Sequence, residues 1–349
     1  MVEKTIFGTM KDGREVSRYT LTNQNGVSAS FLDLGAIWST MLVPDRNGEM
    51  EDVLLGHETV ADCLVSDGHL GEAVGRNANR IGGAAFTLND KKYELTANDG
   101  PNNLHSGMDF YRNRIWTAEY ETGVNLVSFT LESPDGDQGY PGNASIRVTY
   151  TLTDENEVKI HYEGTCDQDT IFNMTNHAYF NLAGHESGPA LSQMVYIDSD
   201  AITAVDEVLI PTGEIRKVMG TPMDFSDFKP IGRDIEVDYD QLKLGGGYDH
   251  NWILNHESGV FSLAAAAIDE ESGRKMDVYT DLPGVQFYTG NFLDGQVPGK
   301  GGVKYARRQG YCFETQYYPN AVNMPGFASP IVKKGEKYDT TTSYKFMTV

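Results

Sequence analysis

A chain of 349 residues with 50 acidic against 28 basic side chains carries a formal net charge of −22, which argues against nucleic acid or an anionic membrane as a partner, since both need a basic footprint. Its hydrophobic content of 40% and aromatic content of 11% supply a large core and exclude a disordered chain. Cys63, Cys166 and Cys312 are odd in number and lack a metal-ligand rhythm, and no apolar run reaches signal-peptide or membrane-spanning length; the expectation is a cytoplasmic protein with free thiols.

The first sixty residues alternate short β-like runs with turn signals: Thr5–Phe7, Val16–Leu21, Val27–Leu32 and Ile37–Val43, punctuated by Asn25-Gly26 and Asn47-Gly48. This pattern predicts a meander. His57–Leu64 is a short helical turn. Between Gly68 and Gly83 the run GHLGEAVGRNANRIGG is a loop that brings backbone close to something. It contains neither a P-loop nor a strand-to-helix dinucleotide fingerprint. Arg76 and Arg80, with Asn77 and Asn79, could present a guanidinium to hydroxyl oxygens or tie it to backbone carbonyls. Phe86–Leu88 and Lys92–Leu95 flank Asn89-Asp90 as a hairpin, and the turn-rich run Asn98–Gly107 holds His105.

Strict alternation over Ser145–Thr153 and Glu157–Glu163 predicts a long antiparallel pair. Next, Ile171–Leu182 reads IFNMTNHAYFNL. At a period of two it separates a mostly apolar row from a row of Asn173, Thr175, His177, Tyr179 and Asn181, and so predicts a strand with one polar face. An imidazole titrating near neutrality among directional amides and a phenol suits proton transfer to a polyhydroxyl ligand. Further strand-like runs occur at 194–197, 252–254, 261–267, 276–280, 285–289, 311–315 and 338–346. No strand–helix alternation, blade repeat or linker appears, so the chain is expected to be all-β. Two large antiparallel sheets would face each other as a β-sandwich with few short helices, and residues 1–349 would form one domain.

Three later segments combine polar and aromatic residues. LGGGYDHNW places Asp249 and His250 beside a glycine hinge; LPGVQFYTGNFLDG puts Gln286 and Tyr288 on one strand face; YCFETQYYPNAVNMP sets Glu314 between Cys312 and Gln316. A carboxylate in such company is expected to be desolvated, which raises its proton affinity toward general-base range; the alternative is a Glu paired with an Arg. Aromatic faces beside directional polar groups make a sugar pocket. Zinc is not expected: the eight His include no H-E-x-x-H, and no G-x-S-x-G elbow is present.

Six segments in order, GRNANRI, NNLHSG, TNHAYFNLAG, GYDHNW, PGVQFYTGNF and FETQYYPNAVN, together resemble the aldose 1-epimerase (galactose mutarotase) family across nearly the whole chain. The resemblance implies a galactose mutarotase-like supersandwich that interconverts α and β anomers of free aldohexoses, with no cofactor and no metal. It implies Glu314 as general base and His177 as general acid, with Arg80, His105, Asp249, Asn79 and Gln286 binding the sugar. Arg76 lies outside the sugar-binding arginine position. Glu121–Asn143 and Val205–Asp240 carry no motif, and a monomer or homodimer is expected. Two competing readings are a glycoside hydrolase using Asp249 and Glu314, which leaves His177 idle, and a sugar-binding module without turnover.

Overall fold

The computed structural model describes residues 1–121 and 123–349; Thr122, inside the Glu121–Asn143 segment, lies outside them. The alternating runs become antiparallel strands, as expected. Val2–Thr9, Glu15–Thr22, Ser28–Leu32, Trp38–Pro44 and Met50–Asp52 form a five-stranded meander in sequence order. Ala144–Leu152 and Glu157–Cys166 pair from Ala144–Cys166 to Leu152–Val158. They belong to a nine-stranded sheet, in which the long strand Lys337–Thr348 lies between Glu157–Cys166 and Arg274–Thr280. A second five-stranded sheet runs in the order Pro211–Lys217, Ser199–Val205, Asp249–Leu254, Gly284–Tyr288, Cys312–Gln316.

One hydrophobic core joins the three sheets. Phe31 of the meander stacks on Tyr150 of the large sheet with ring centroids 4.1 Å apart, and Trp38 meets Tyr344 edge-on. Trp252, Phe287 and Phe313 of the second five-stranded sheet are fully buried in the same cluster. Each strand therefore buries one face against another layer, which is why period-two patterning is visible in its sequence. Helix is confined, among the described residues, to Val60–Val65 and Asp240–Gly245 plus single 3₁₀ turns. The first is capped by Thr59, whose hydroxyl accepts from the Asp62 amide. The second falls at the end of the segment that carries no motif, and Gly246, left-handed at φ 65°, terminates it. No helix among the described residues is long and apolar enough to cross a membrane.

Ile171–Leu182 departs from expectation. Only Thr170–Ile171 and Thr175–Asn176 are strand, and every residue from Ile171 to Leu182 is buried on both faces. Its polar row does not face solvent because it completes the hydrogen bonding of loops around it. Asn176 Nδ2 donates to the Gly71 carbonyl, Asn181 Nδ2 to the Gly188 and Gln309 carbonyls, and Asn173 Oδ1 accepts from the Tyr317 amide. The segment is a buried spacer between sheets; alternation alone cannot distinguish it from a half-exposed strand. Gly71 permits the closeness, since at φ 77° a Cβ there would lie 2.2 Å from the Trp38 carbonyl oxygen.

Arg76 is fully buried and donates to the Pro141, Gly142 and Ser133 carbonyls and to the Ser133 and Thr170 hydroxyls. It ties the 75–81 loop to the large sheet. Arg76→Met leaves these acceptors unsatisfied and should lower unfolding free energy by about 3 kcal/mol or more, read from urea denaturation; a change below about 1 kcal/mol would contradict this structural role.

Candidate active site

A cleft of about 320 Å³ opens beside the second five-stranded sheet. Asn79, Arg80, His105, His177, Asp249, Gln286 and Glu314 all line it. Three of these come from adjacent strands: Asn251 pairs with Gln286, which in turn pairs with Glu314, and Asp249 lies opposite Tyr288. Asp249 and Gln286 therefore project from neighbouring strands, and a chain of amides aligns them. Gln316 Nε2 donates to Asn251 Oδ1 and Gln286 Oε1, and Gln286 Nε2 donates to Asp249 Oδ1 at 2.7 Å.

The other four arrive on loops or, for Arg80, on the two-residue strand Arg80–Ile81. Leu104 pairs with Arg80, and the His105 amide donates to the Asn79 carbonyl. The Asn79 amide donates back to His105 Nδ1 at 3.2 Å. That nitrogen is therefore the acceptor, and the ring proton of neutral His105 sits on Nε2. Asn79 Oδ1 is occupied by the Arg80 amide, while Arg80 Nε donates to Asp99 at 2.7 Å. Asn79 and His105 both have left-handed backbone, at φ 58° and 51°, as does the cleft residue His69 at φ 57°. Strain of this kind persists only where the surroundings over-determine it.

His177 is anchored by its own peptide. Its amide donates to the Glu72 carbonyl and its carbonyl accepts from the Gly71 amide. Its Nε2 lies 3.6 Å from Glu314 Oε1, and its Nδ1 lies 3.4 Å from the thiol of buried Cys312. Both members of the pair are buried, and Glu314 Oε2 has no hydrogen-bond partner among the described residues.

Charge is unfavourable at both groups. Burial pushes the His177 imidazole down to about 3, His69 adds to the fall, and Glu72 pulls the other way. Burial pushes Glu314 well above the usual carboxylate range, Asp249 adds to the rise, and Arg80 opposes it. Burial therefore favours the neutral form of each group. Burial also raises Asp249 and carries His105 well below the ordinary imidazole value.

Cys63, Cys166 and Cys312 are free and buried. His105, His177 and Glu314 offer ligand atoms within 4.8 Å of one another, so a divalent ion there would engage both His177 and Glu314. At a second grouping of His161, Glu163 and Asp339, Lys337 already supplies the cation, with its Nζ at 2.6 Å from Glu163 and 2.9 Å from Asp339.

A model of the aldose 1-epimerase family matches residues 17–345, and galactose mutarotase of Bos taurus is 40% identical over 345 residues, covering 99% of this chain and 98% of that one. The chain belongs to the aldose 1-epimerase family. Aldose 1-epimerase of Haemophilus influenzae is 39% identical over 351 residues, covering 99% of this chain and all of that one. Among solved structures, a GalM/aldose epimerase homologue from C. elegans superposes with a TM-score of 0.87 at 30% identity, covering 95% of this chain and 98% of that one. Galactose 1-epimerase from Lactobacillus acidophilus gives a TM-score of 0.86 at 28% identity, covering all of this chain and 99% of that one. The all-β family fold and an isomerase-type enzyme follow for this chain.

His69, Glu72 and Arg112 were not legible as site residues, although they surround His177. His69 sits in the glycine-rich loop and, read alone, is an ordinary loop histidine; Arg112 comes from the single turn Tyr111–Asn113. Only the Gly-rich character of the loop could have drawn attention to His69 and Glu72, and nothing in the sequence around it marked Arg112.

The burial of His177 predicts that its imidazole stays neutral at pH values where ordinary histidines are half protonated. In histidine-labelled NMR its resonances should not titrate between pH 8 and 5. An inflection near 6.5 would mean that the ring is not shielded as described.

Proposed function

We propose that the enzyme interconverts the α and β anomers of free aldohexoses, including glucose and galactose, by opening and reclosing the ring at C1. The observation that carries this reading is the 3.6 Å separation of His177 Nε2 and Glu314 Oε1 in a cleft lined by Arg80, His105, Asp249 and Gln286. In a cyclic hemiacetal the hydroxyl oxygen O1 and the ring oxygen O5 share one carbon, so a base for one and an acid for the other must lie within a few ångströms of each other.

Glu314 removes the O1 proton while His177 delivers a proton to O5, and the C1–O5 bond breaks to give the open aldehyde. Rotation about C1–C2 presents the other carbonyl face. His177 then takes its proton back from the O5 hydroxyl as that oxygen attacks C1, and Glu314 returns its proton to O1. The pair carries one proton throughout, which only changes sides. Burial alone favours neutral His177 and protonated Glu314, whereas this direction of transfer starts with the proton on His177. Arg80, which lowers the proton affinity of Glu314, and Glu72, which raises that of His177, both act in that direction. Arg80, His105, Asp249, Asn79 and Gln286 hold the ring, either on sugar hydroxyls directly or, for Asn79, through the backbone of Arg80. Because strands and loops from His57 to Glu314 contribute to one cleft, the reading takes the chain as one functional domain.

The hydrolase alternative gives His177 no task, whereas anomerisation uses both members of the pair. Glu314→Gln and His177→Asn should each lower kcat by about 10²–10⁴-fold with the fold retained, measured by polarimetry on freshly dissolved α-D-glucose or α-D-galactose. Unchanged anomerisation in either variant would refute the assignment. Arg80→Met should lower kcat/KM by on the order of tenfold, as expected for loss of a charged hydrogen-bond donor.

A further inference from the structure

His69 stands beside the proposed acid with a support of its own. The loop that carries it is joined to the His177 peptide by the Gly71 amide and the Glu72 carbonyl. Its ring lies parallel to that of His177, 28° between planes and 5.7 Å between centroids, and 5.0 Å from that of His105. Phe110 meets its edge at 4.9 Å. His69 Nδ1 is 2.5 Å from Glu72 Oε1. Glu72 is itself buried, with Arg112 Nε 3.6 Å from its second oxygen, and Arg112 is held in turn by the Ser66 carbonyl at 2.5 Å.

A carboxylate can only accept, so Nδ1 is the donor and its proton lies toward Glu72. The other nitrogen, Nε2, has no hydrogen-bond partner among the described residues, and the ring lines the cleft. A chain of Arg112, Glu72 and His69 that fixes an imidazole while leaving its far nitrogen free is the arrangement expected of a group that meets a ligand. A hydroxyl suits that nitrogen in either protonation state, because it both donates and accepts.

We infer that His69 is a further substrate-contacting residue, binding the C6 hydroxyl of an aldohexose through Nε2 while Glu72 and Arg112 hold the ring in place. This rests on the anomerase reading above. In that reading Glu314 addresses O1 and His177 addresses the ring oxygen. Beyond the ring oxygen, away from O1, the sugar continues to C5 and its hydroxymethyl group. An imidazole stacked on His177 and hydrogen-bonded to Glu72 rather than Glu314 belongs on that side. The consequence is a preference for hexoses over sugars without a C6 hydroxyl.

The test compares D-galactose with D-fucose, its 6-deoxy analogue, and L-arabinose, which lacks C6, using wild type, His69→Phe and Glu72→Gln. The Phe ring preserves the stack and removes the hydrogen bond. His69→Phe should lower kcat/KM for galactose relative to fucose and to arabinose by on the order of tenfold. Glu72→Gln, which also removes a carboxylate from beside His177, should slow all three sugars and in addition lower the galactose-to-fucose ratio of kcat/KM; that ratio is the readout if His69→Phe does not fold. A galactose-to-fucose ratio of kcat/KM unchanged from wild type would overturn the contact. Absence of any rate enhancement by the wild type would instead overturn the anomerase reading.

Discussion

The cleft depends on one short backbone pairing. Phe180 and Tyr311 form an isolated antiparallel bridge, each amide donating to the other's carbonyl. Three residues before Phe180 lies His177, and three after Tyr311 lies Glu314. Two side chains separated by 137 positions in sequence are therefore held in register by a pair of peptide hydrogen bonds, reinforced by Leu55, whose amide donates to the Tyr179 carbonyl. Backbone pairing fixes distance more firmly than side-chain contacts do, because it leaves few torsions free.

The surroundings of that bridge explain its electrostatics. Sheets and the buried spacer exclude water from His177 and Glu314, and removal from water costs either group its charge. A charged pair would be expensive there and a solvated pair would be slow to reorganise. The structure instead brings a guanidinium near the carboxylate and a second carboxylate near the imidazole, and each favours the charged form that burial disfavours. Rigid amide relays such as Gln316 to Gln286 to Asp249 supply direction without adding charge.

Local patterning made most strands legible: Asn-Gly turns and alternation locate four strands of the meander and the 144–166 hairpin within about three residues, though not Met50–Asp52, because each strand has one buried and one less buried face. Sheet order was not legible. That Lys337–Thr348 lies between Glu157–Cys166 and Arg274–Thr280 reflects pairings across more than 170 residues in one case and more than 60 in the other, and no local propensity encodes them. The seven cleft residues were found through residue chemistry and motif order, and geometry gathers them in one place. The conformation of Ile171–Leu182 was misread, because a segment whose polar atoms serve neighbouring loops has the same alternation as a strand with a wet face. Glu72 shows the same blind spot, since only the fold turns an ordinary acidic loop residue into the anchor of His69.

The left-handed backbone at His69, Asn79 and His105 restricts what variation can reveal. A β-branched replacement at any of these positions costs on the order of 1–3 kcal/mol from backbone strain before its chemistry matters. Glycine meets no such penalty, and asparagine meets little. A saturation library across this wall would therefore score conformational tolerance and sugar recognition as one signal. Comparing each variant with glycine at the same position separates the two.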